Sequence, residues 1–239
     1  MSEPVGSPGG EQGAPSEPVG SPGGERGAPS EPVGSPGGER ATPAGAARIG
    51  VMGGTFDPVH HGHLVAANEA AHVLRLDEVI FVPAGRPWQK AARAVAPAED
   101  RYQMTLLATR PNPLFSVSRV DIDRGGETYT VDTLSDLRAE RGPEAEFFFI
   151  LGADAVRGLA TWKEPLKLVT MAHFVACTRA GHRLSWSGLP PDRLTPVEIP
   201  ALEISSSTCR DRVRAGLPLR YLVPDAVIQY ISNRGLYRG

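Results

Sequence analysis

From Arg48 onward, short apolar runs alternate with stretches of helical spacing, and that alternation leaves few architectures open. Arg48–Met52 reads as a buried strand running into Gly53-Gly54, and Leu64–Leu74 as an Ala-rich helix. Val79–Val82 is the next strand, Ala84–Ala96 a loop, Ala98–Ala108 a helix and Val117–Ile122 a strand. Val131, Leu134 and Leu137 give Val131–Glu140 helical spacing. Phe147–Leu151 is a continuous apolar strand ending at Gly152, and Phe174–Cys177 is another. Ser206–Ala215 and Asp225–Ser232 read as helices, the second entered through Pro224. Strands separated by helices predict an α/β fold around a mainly parallel sheet. In such sheets ligands bind beyond the carboxyl ends of the strands, near the point where strand order reverses. The exits Met52→Gly53 and Leu151→Gly152 are therefore expected at the site.

The first 45 residues obey a different rule. A 14-residue unit fills Ser2–Pro15, returns almost unchanged at Ser16–Pro29 and recurs in diverged form at Ser30–Pro43. Gly and Pro occupy 21 of these 45 positions, and Val5, Val19 and Val33 are the only aliphatic side chains beyond Ala. No apolar face can form, so burial cannot offset chain entropy, and disorder is expected over residues 1–45. The repeats hold nothing like the apolar core of a signal peptide. The folded domain is expected over residues 46–239.

Charge and cysteine usage narrow the partners. The repeats carry six Glu and two Arg, a net of -4; subtracting this from the whole-chain -2 leaves the domain near +2. So mild a charge gives no reason to expect nucleic acid or an anionic membrane as partner. No stretch approaches the roughly 18 apolar residues that span a bilayer. Cys177 and Cys209 are isolated, with neither metal-type spacing nor a disulfide framework, which fits a reducing cytoplasm. The sequence leaves oligomeric state open, a homo-oligomer included.

The chemistry concentrates in Gly53-Gly54-Thr55-Phe56-Asp57-Pro58-Val59-His60-His61-Gly62-His63-Leu64. Paired glycines after a strand let the backbone approach a phosphate with no Cβ in the way. The following helix aims free N–H groups and its positive dipole end at the same spot. His60 and His63 are three apart and share a face if the helix includes both. A Gly-Gly turn with incidental histidines is the plain alternative. The block resembles the His-x-Gly-His signature of the nucleotidylyltransferase superfamily, in the form typical of nicotinate-nucleotide adenylyltransferases, and the resemblance runs over nearly all of Arg48–Gly239. It implies a Rossmann-like nucleotidyltransferase fold in which His60 and His63 contact ATP phosphates, with Gly53, Gly54, Thr55 and Phe56 beside the nucleotide.

Further motifs fit the same resemblance. Ile204-Ser205-Ser206-Ser207-Thr208-Cys209-Arg210 reads alone as a good helix cap. It is similar to the family's Ile-Ser-Ser-Thr-x-x-Arg motif, which implies triphosphate binding by Ser206, Ser207 and Arg210, with Ser207 where Thr is usual. Gly152-Ala153-Asp154 is a cap or, as the family's Gly-x-Asp implies, a ribose site. Trp162 is core or, by resemblance, a platform for the nicotinate ring, whose carboxylate would meet Thr130 and main-chain N–H groups near Lys163. Lys90 is a surface lysine or, in a loop that resembles the family's substrate loop, a catalytic cation; Gln89 replaces the family's His. Arg179 matches an Arg-Pro-Gly near the adenine, with Ala180 replacing Pro.

The resemblance as a whole implies an enzyme that transfers AMP from ATP to nicotinate mononucleotide, in NAD biosynthesis. The attacking phosphate is already anionic at neutral pH, so no general base is assigned. His60, His63, Lys90 and Arg210 are the expected catalytic group. Mg²⁺ is expected with ATP, and no carboxylate cluster marks a dedicated metal site. Transfer to nicotinamide mononucleotide or another phosphorylated acceptor, and a nucleotide-binding regulator without catalysis, are the alternative readings.

Overall fold

Every second residue of the central strands faces the opposite side of the sheet, and both sides are apolar, so helices must cover both. A computed structural model describes residues 45–87, 95–179, 190–200 and 202–238. In chain order the elements are β1 (Arg48–Gly54), α1 (His61–Leu74), β2 (Glu78–Pro83), β3 (Arg86–Pro87), α2 (Ala98–Thr109), β4 (Phe115–Val117), α3 (Val120–Arg124), β5 (Glu127–Thr128) and α4 (Thr130–Arg141). They continue with β6 (Glu146–Gly152), α5 (Ala153–Val156), α6 (Pro165–Met171), β7 (His173–Thr178), β8 (Leu194–Glu198), α7 (Ser206–Arg214) and α8 (Asp225–Arg234).

Six strands form one sheet in the order β4-β2-β1-β6-β7-β8, with every pair parallel. β3 and β5 make a separate two-stranded parallel pair. The chain builds outward from β1 through β2 to β4, then returns to lay β6 on the other side of β1. Strand order therefore reverses between β1 and β6, where Ile49 pairs with Phe147 and Val51 with Phe149. The two glycine-ended strands leave the sheet side by side at this switch point.

Alternation along the strands divides the core in two. Met52, Val79, Phe81, Phe148, Ile150 and Val175 face α1, α2, α7 and α8, whose Ala67, Ala70, Met104, Cys209, Val227 and Ile231 are buried against them. Ile49, Val51, Ile80, Phe147, Phe149 and Phe174 face the other way, under Val131, Leu134 and Leu137 of α4 and Leu168 of α6. β8 lies at an edge, where Pro196 costs no ladder bond to a further strand.

One expected element is corrected. Val117–Ile122 is not a strand: pairing stops at Val117, and Val120–Arg124 turns into a short helix. The Val120 N–H donates to Ser118 Oγ at 3.3 Å, and Asp121 pairs with Arg124 at the helical i,i+3 spacing. Those local polar contacts override an apolar run that reads as extended. The 1–45 repeats lie outside the described residues up to position 44.

Candidate active site

The crossing from β1 to α1 sets the first half of the site. His60 stands at the N-cap of α1 and His63 in its first turn. The His60 main-chain N–H donates to His63 Nδ1 at 3.2 Å, and the two rings stack with centroids 3.7 Å apart. Because Nδ1 accepts, neutral His63 carries its proton on Nε2. His60 is buried, and among the described residues its Nδ1 has no hydrogen-bond partner. Burial, aided by repulsion from His61, pulls the His60 pKa down to about 4, so this imidazole is neutral near pH 7. Gly62 leaves the stack room: a Cβ there would stand 3.0 Å from His60 Nδ1. No acid lies in the first turn of α1, so its positive end is unquenched.

The turn Thr55–Pro58 is held from outside itself. Arg210 donates from Nη1 to the Asp57 carbonyl at 2.7 Å, and Ser206 Oγ donates to the Pro58 carbonyl at 2.9 Å. Tyr237 donates its hydroxyl to Asp57 Oδ1 at 2.7 Å. Burial, then the Asp57 charge, pushes the Tyr237 pKa far above the usual phenol range, so it remains a donor. Arg101, 1% exposed, donates from Nη1 to the Thr55 carbonyl at 2.8 Å.

A cavity of about 550 Å³ opens over the switch point. Gly53, Gly54, Thr55, His60 and His63 line one part of it, and Gly152 and Asp154 follow from β6. Thr130, Trp162 and Lys163 line another part, and Arg179 a third with Ile199 and Leu202. Of the remaining expected residues, Phe56 has its ring in the core, edge-on to His63 at 5.1 Å. Ser206, Ser207 and Arg210 are not on the cavity wall: Ser206 and Arg210 grip the turn, and Ser207 Oγ accepts from Arg210 Nη2 at 3.2 Å. The helix cap itself is Ser205, whose Oγ accepts the Thr208 N–H at 3.0 Å. Lys90 and Gln89 lie outside the described residues.

The part around Thr130 joins a helix start to an aromatic wall. Thr130 begins α4, so the start of a 12-residue helix opens there. Asp132, in that helix's first turn, is matched by Lys163 Nζ at 3.0 Å, and the same ammonium sits 4.7 Å above the Tyr129 ring. Trp162 packs edge-on against Phe149 at 5.9 Å and stays half-buried on the cavity wall. Asp154 pairs with Arg157, and Arg179 with Glu203 at 3.1 Å.

Sequence reasoning missed Asp121, Arg101 and Tyr237. Asp121 lines the cavity although buried, and accepts from Arg124 at 2.6 Å and from Thr133 Oγ1 at 2.7 Å. Burial pushes its pKa up against those two bonds. Arg101 left a readable signal: it stands in phase with Met104, Thr105 and Ala108 on the buried face of α2, where a lone cation needs partners. Tyr237 left none.

A parallel sheet with paired glycines at its switch point, two stacked imidazoles at a helix start and a cavity reaching from them to Trp162 define a nucleotidyltransferase of the Rossmann-like class. Residues 51–212 match the cytidylyltransferase-like family. The probable nicotinate-nucleotide adenylyltransferase of Acidothermus cellulolyticus is 64% identical over 197 residues, 80% of this chain and 95% of that protein. Its counterpart of the same name in Streptomyces coelicolor is 61% identical over 188 residues, 79% of this chain and 100% of that protein. A solved structure of Plasmodium falciparum nicotinic acid mononucleotide adenylyltransferase complexed with NaAD shares the fold, with TM-score 0.66 and 21% identity over 80% of this chain and 97% of that one. The chain belongs to the nicotinate-nucleotide adenylyltransferases of the cytidylyltransferase-like family.

Proposed function

We propose that this cavity binds ATP with its triphosphate at His60, His63 and the start of α1, and nicotinate mononucleotide with its ring at Trp162 and its carboxylate at the start of α4. The observation that carries the reading is the single cavity at the β1/β6 switch point, which puts the stacked histidines and the Thr130–Trp162 wall within one volume. Such a volume is of the size expected for substrate sites, roughly 300–1,000 Å³.

In this reading the phosphate of the mononucleotide attacks the α-phosphorus of ATP in line, forming a new P–O bond as the α–β bridging bond breaks. Pyrophosphate leaves with that electron pair. The nucleophile is anionic beforehand, so no side chain need take a proton. His60 enters as a neutral imidazole, and His63 Nε2–H donates to the phosphate oxygens on which charge builds. Gly53 and Gly54 let the main chain approach those oxygens. Asp154 faces the ribose and Arg179 the adenine end. Ser206, Ser207 and Arg210 reach the triphosphate only if Arg210 trades its bonds to Asp57 and Ser207 for phosphate oxygens. Lys90 completes the group of cations. ATP is taken as its magnesium complex, the ion held by phosphate oxygens and water. Among the described residues no three His, Cys, Asp or Glu side chains converge as a metal cage. Among them too, no helix is long and apolar enough to cross a membrane, and Cys177 and Cys209 are free thiols. We place the reaction in the cytoplasm on the strength of those thiols.

The acceptor pocket is the part to test. A carboxylate only accepts, so it suits Thr130 Oγ–H and main-chain N–H donors alike. A carboxamide would turn its NH₂ on one of them, a mismatch of about 1–3 kcal/mol, roughly ten- to a hundredfold in kcat/KM. ATP and Mg²⁺ are incubated with nicotinate or nicotinamide mononucleotide, and dinucleotide is quantified. The nicotinate form is expected to win, Thr130→Val to narrow the gap, and Trp162→Ala to slow both acceptors alike. No dinucleotide from nicotinate mononucleotide would overturn the reading.

A further inference from the structure

Beneath the cavity lies a set of contacts that the transfer step itself does not use. The three nitrogens of the buried Arg101 guanidinium donate to three main-chain carbonyls: Nη1 to Thr55 at 2.8 Å, Nη2 to Gly85 at 2.9 Å and Nε to Ala96 at 2.9 Å. Thr55 belongs to the turn that leads to His60. Gly85 follows β2, and its own N–H donates to Thr128 Oγ1 at 3.0 Å, two residues before Thr130. Ala96 also sends its N–H to Asp57 Oδ1 at 3.3 Å. One planar fork thus ties the phosphate part of the cavity to the acceptor part.

The backbone at both places has little freedom of its own. A Cβ on Gly85 would come within 2.4 Å of the Asp121 carbonyl, so that segment is pressed against α3. Phe56 has φ 50° and Tyr237 φ 65°, left-handed values that non-glycine residues adopt only under strain. These two residues bracket Asp57: one precedes it, and the other donates to its carboxylate at 2.7 Å. Strain of this kind persists where surrounding contacts over-determine it.

We propose that Arg101 and Tyr237 are positioning residues for adenylyl transfer. Tyr237, through Asp57, fixes the turn that sets His60 and His63. Arg101 fixes the same turn and couples it to Gly85, so that the triphosphate and the acceptor meet at reacting distance. This rests on the reading of the cavity given above. A lysine cannot replace Arg101, because one ammonium nitrogen cannot reach three carbonyls that need a planar fork of three nitrogens.

The test uses the full chain with Arg101→Lys and, separately, Tyr237→Phe, assayed with ATP, Mg²⁺ and nicotinate mononucleotide well below each melting temperature. Arg101→Lys is expected to lower kcat by ~10²-fold, the scale of an ångström of misplacement, and to raise KM for both substrates. Tyr237→Phe is expected to lower kcat and to raise KM for ATP while leaving KM for the mononucleotide as it was, because its hydroxyl bonds reach Asp57 and Met104 rather than the Gly85 segment. Variants that melt cooperatively at lower temperature with native kcat and both KM values would show a merely structural role and overturn the proposal. Should Arg101→Lys fail to fold, Tyr237→Phe with native kcat and native KM for ATP overturns it by itself. An unmutated protein that forms no dinucleotide would instead sink the reading of the cavity.

Discussion

At the scale of single residues, the site depends on two stacked imidazoles. The His60 main chain leaves His63 with an Nε2–H donor, whereas burial keeps His60 itself uncharged. Removing the preorganised donor in His63→Ala is expected to cut kcat by ~10²-fold or more while the fold stays intact. A folded variant with near-native turnover would end the role assigned to His63. His60 adds a pH signature. Its folded pKa of about 4 lies below the ordinary 6.5, so between those values the unfolded chain binds a proton that the folded one refuses. Stability is therefore full above about pH 6.5 and falls as pH drops toward 4, by at most roughly 3.5 kcal/mol at ~1.4 kcal/mol per pH unit. Urea midpoints at pH 7 and pH 5 measure the loss, which His60→Asn should reduce. Equal losses in the two proteins would assign the acid sensitivity to other groups.

At the scale of elements, what was legible followed from periodicity, and what was hidden followed from long-range polar contacts. The strands at Arg48, Val79, Phe147 and Phe174 were visible because their apolar runs are buried on both faces, and the two glycine exits meet at the switch point as expected. α3 was hidden because Val117, Val120 and Ile122 imitate a strand, while the Asp121–Arg124 and Asp121–Thr133 bonds that bend the chain are invisible one residue at a time. The cavity wall at Gly53, His60, His63, Thr130 and Trp162 could be anticipated from motifs. That Ser206 and Arg210 hold the turn rather than the wall could not, since their partners lie 148 and 153 positions away. This placement makes α7 a support for the turn. Ser205→Ala removes its cap, a loss of about 1 kcal/mol, and frays the end that presents Ser206. We expect a lower melting temperature together with a raised KM for ATP. The first without the second would uncouple α7 from the site.

At the scale of the whole molecule, the question is which part of the chain the enzyme needs. The relatives in Acidothermus cellulolyticus and Streptomyces coelicolor align along 95% and 100% of their own length with about four-fifths of this chain. The contacts that hold the site begin with β1 at Arg48, whose main-chain N–H meets Asp77 at 2.7 Å and whose guanidinium meets Glu146 at 3.1 Å. The composition of the repeats supplies few groups for packing. Their 21 Gly and Pro in 45 positions leave three valines as the only larger aliphatic groups, and each valine is worth no more than roughly 1.5–3 kcal/mol even when fully buried. Ordering the chain around one valine would cost about 1–2 kcal/mol for every residue fixed, which exceeds that gain within a few residues. Their net charge is -4 and that of the domain near +2, and physiological salt screens attraction between them beyond about 8 Å. Deleting residues 1–45 is therefore expected to leave melting temperature, kcat and both KM values unchanged, in low salt as in high. Differential scanning calorimetry and initial rates on the full and shortened chains decide it. A clear fall in melting temperature on truncation would show that the repeats pack on the domain, and a change in KM confined to low salt would show that their acids reach the site.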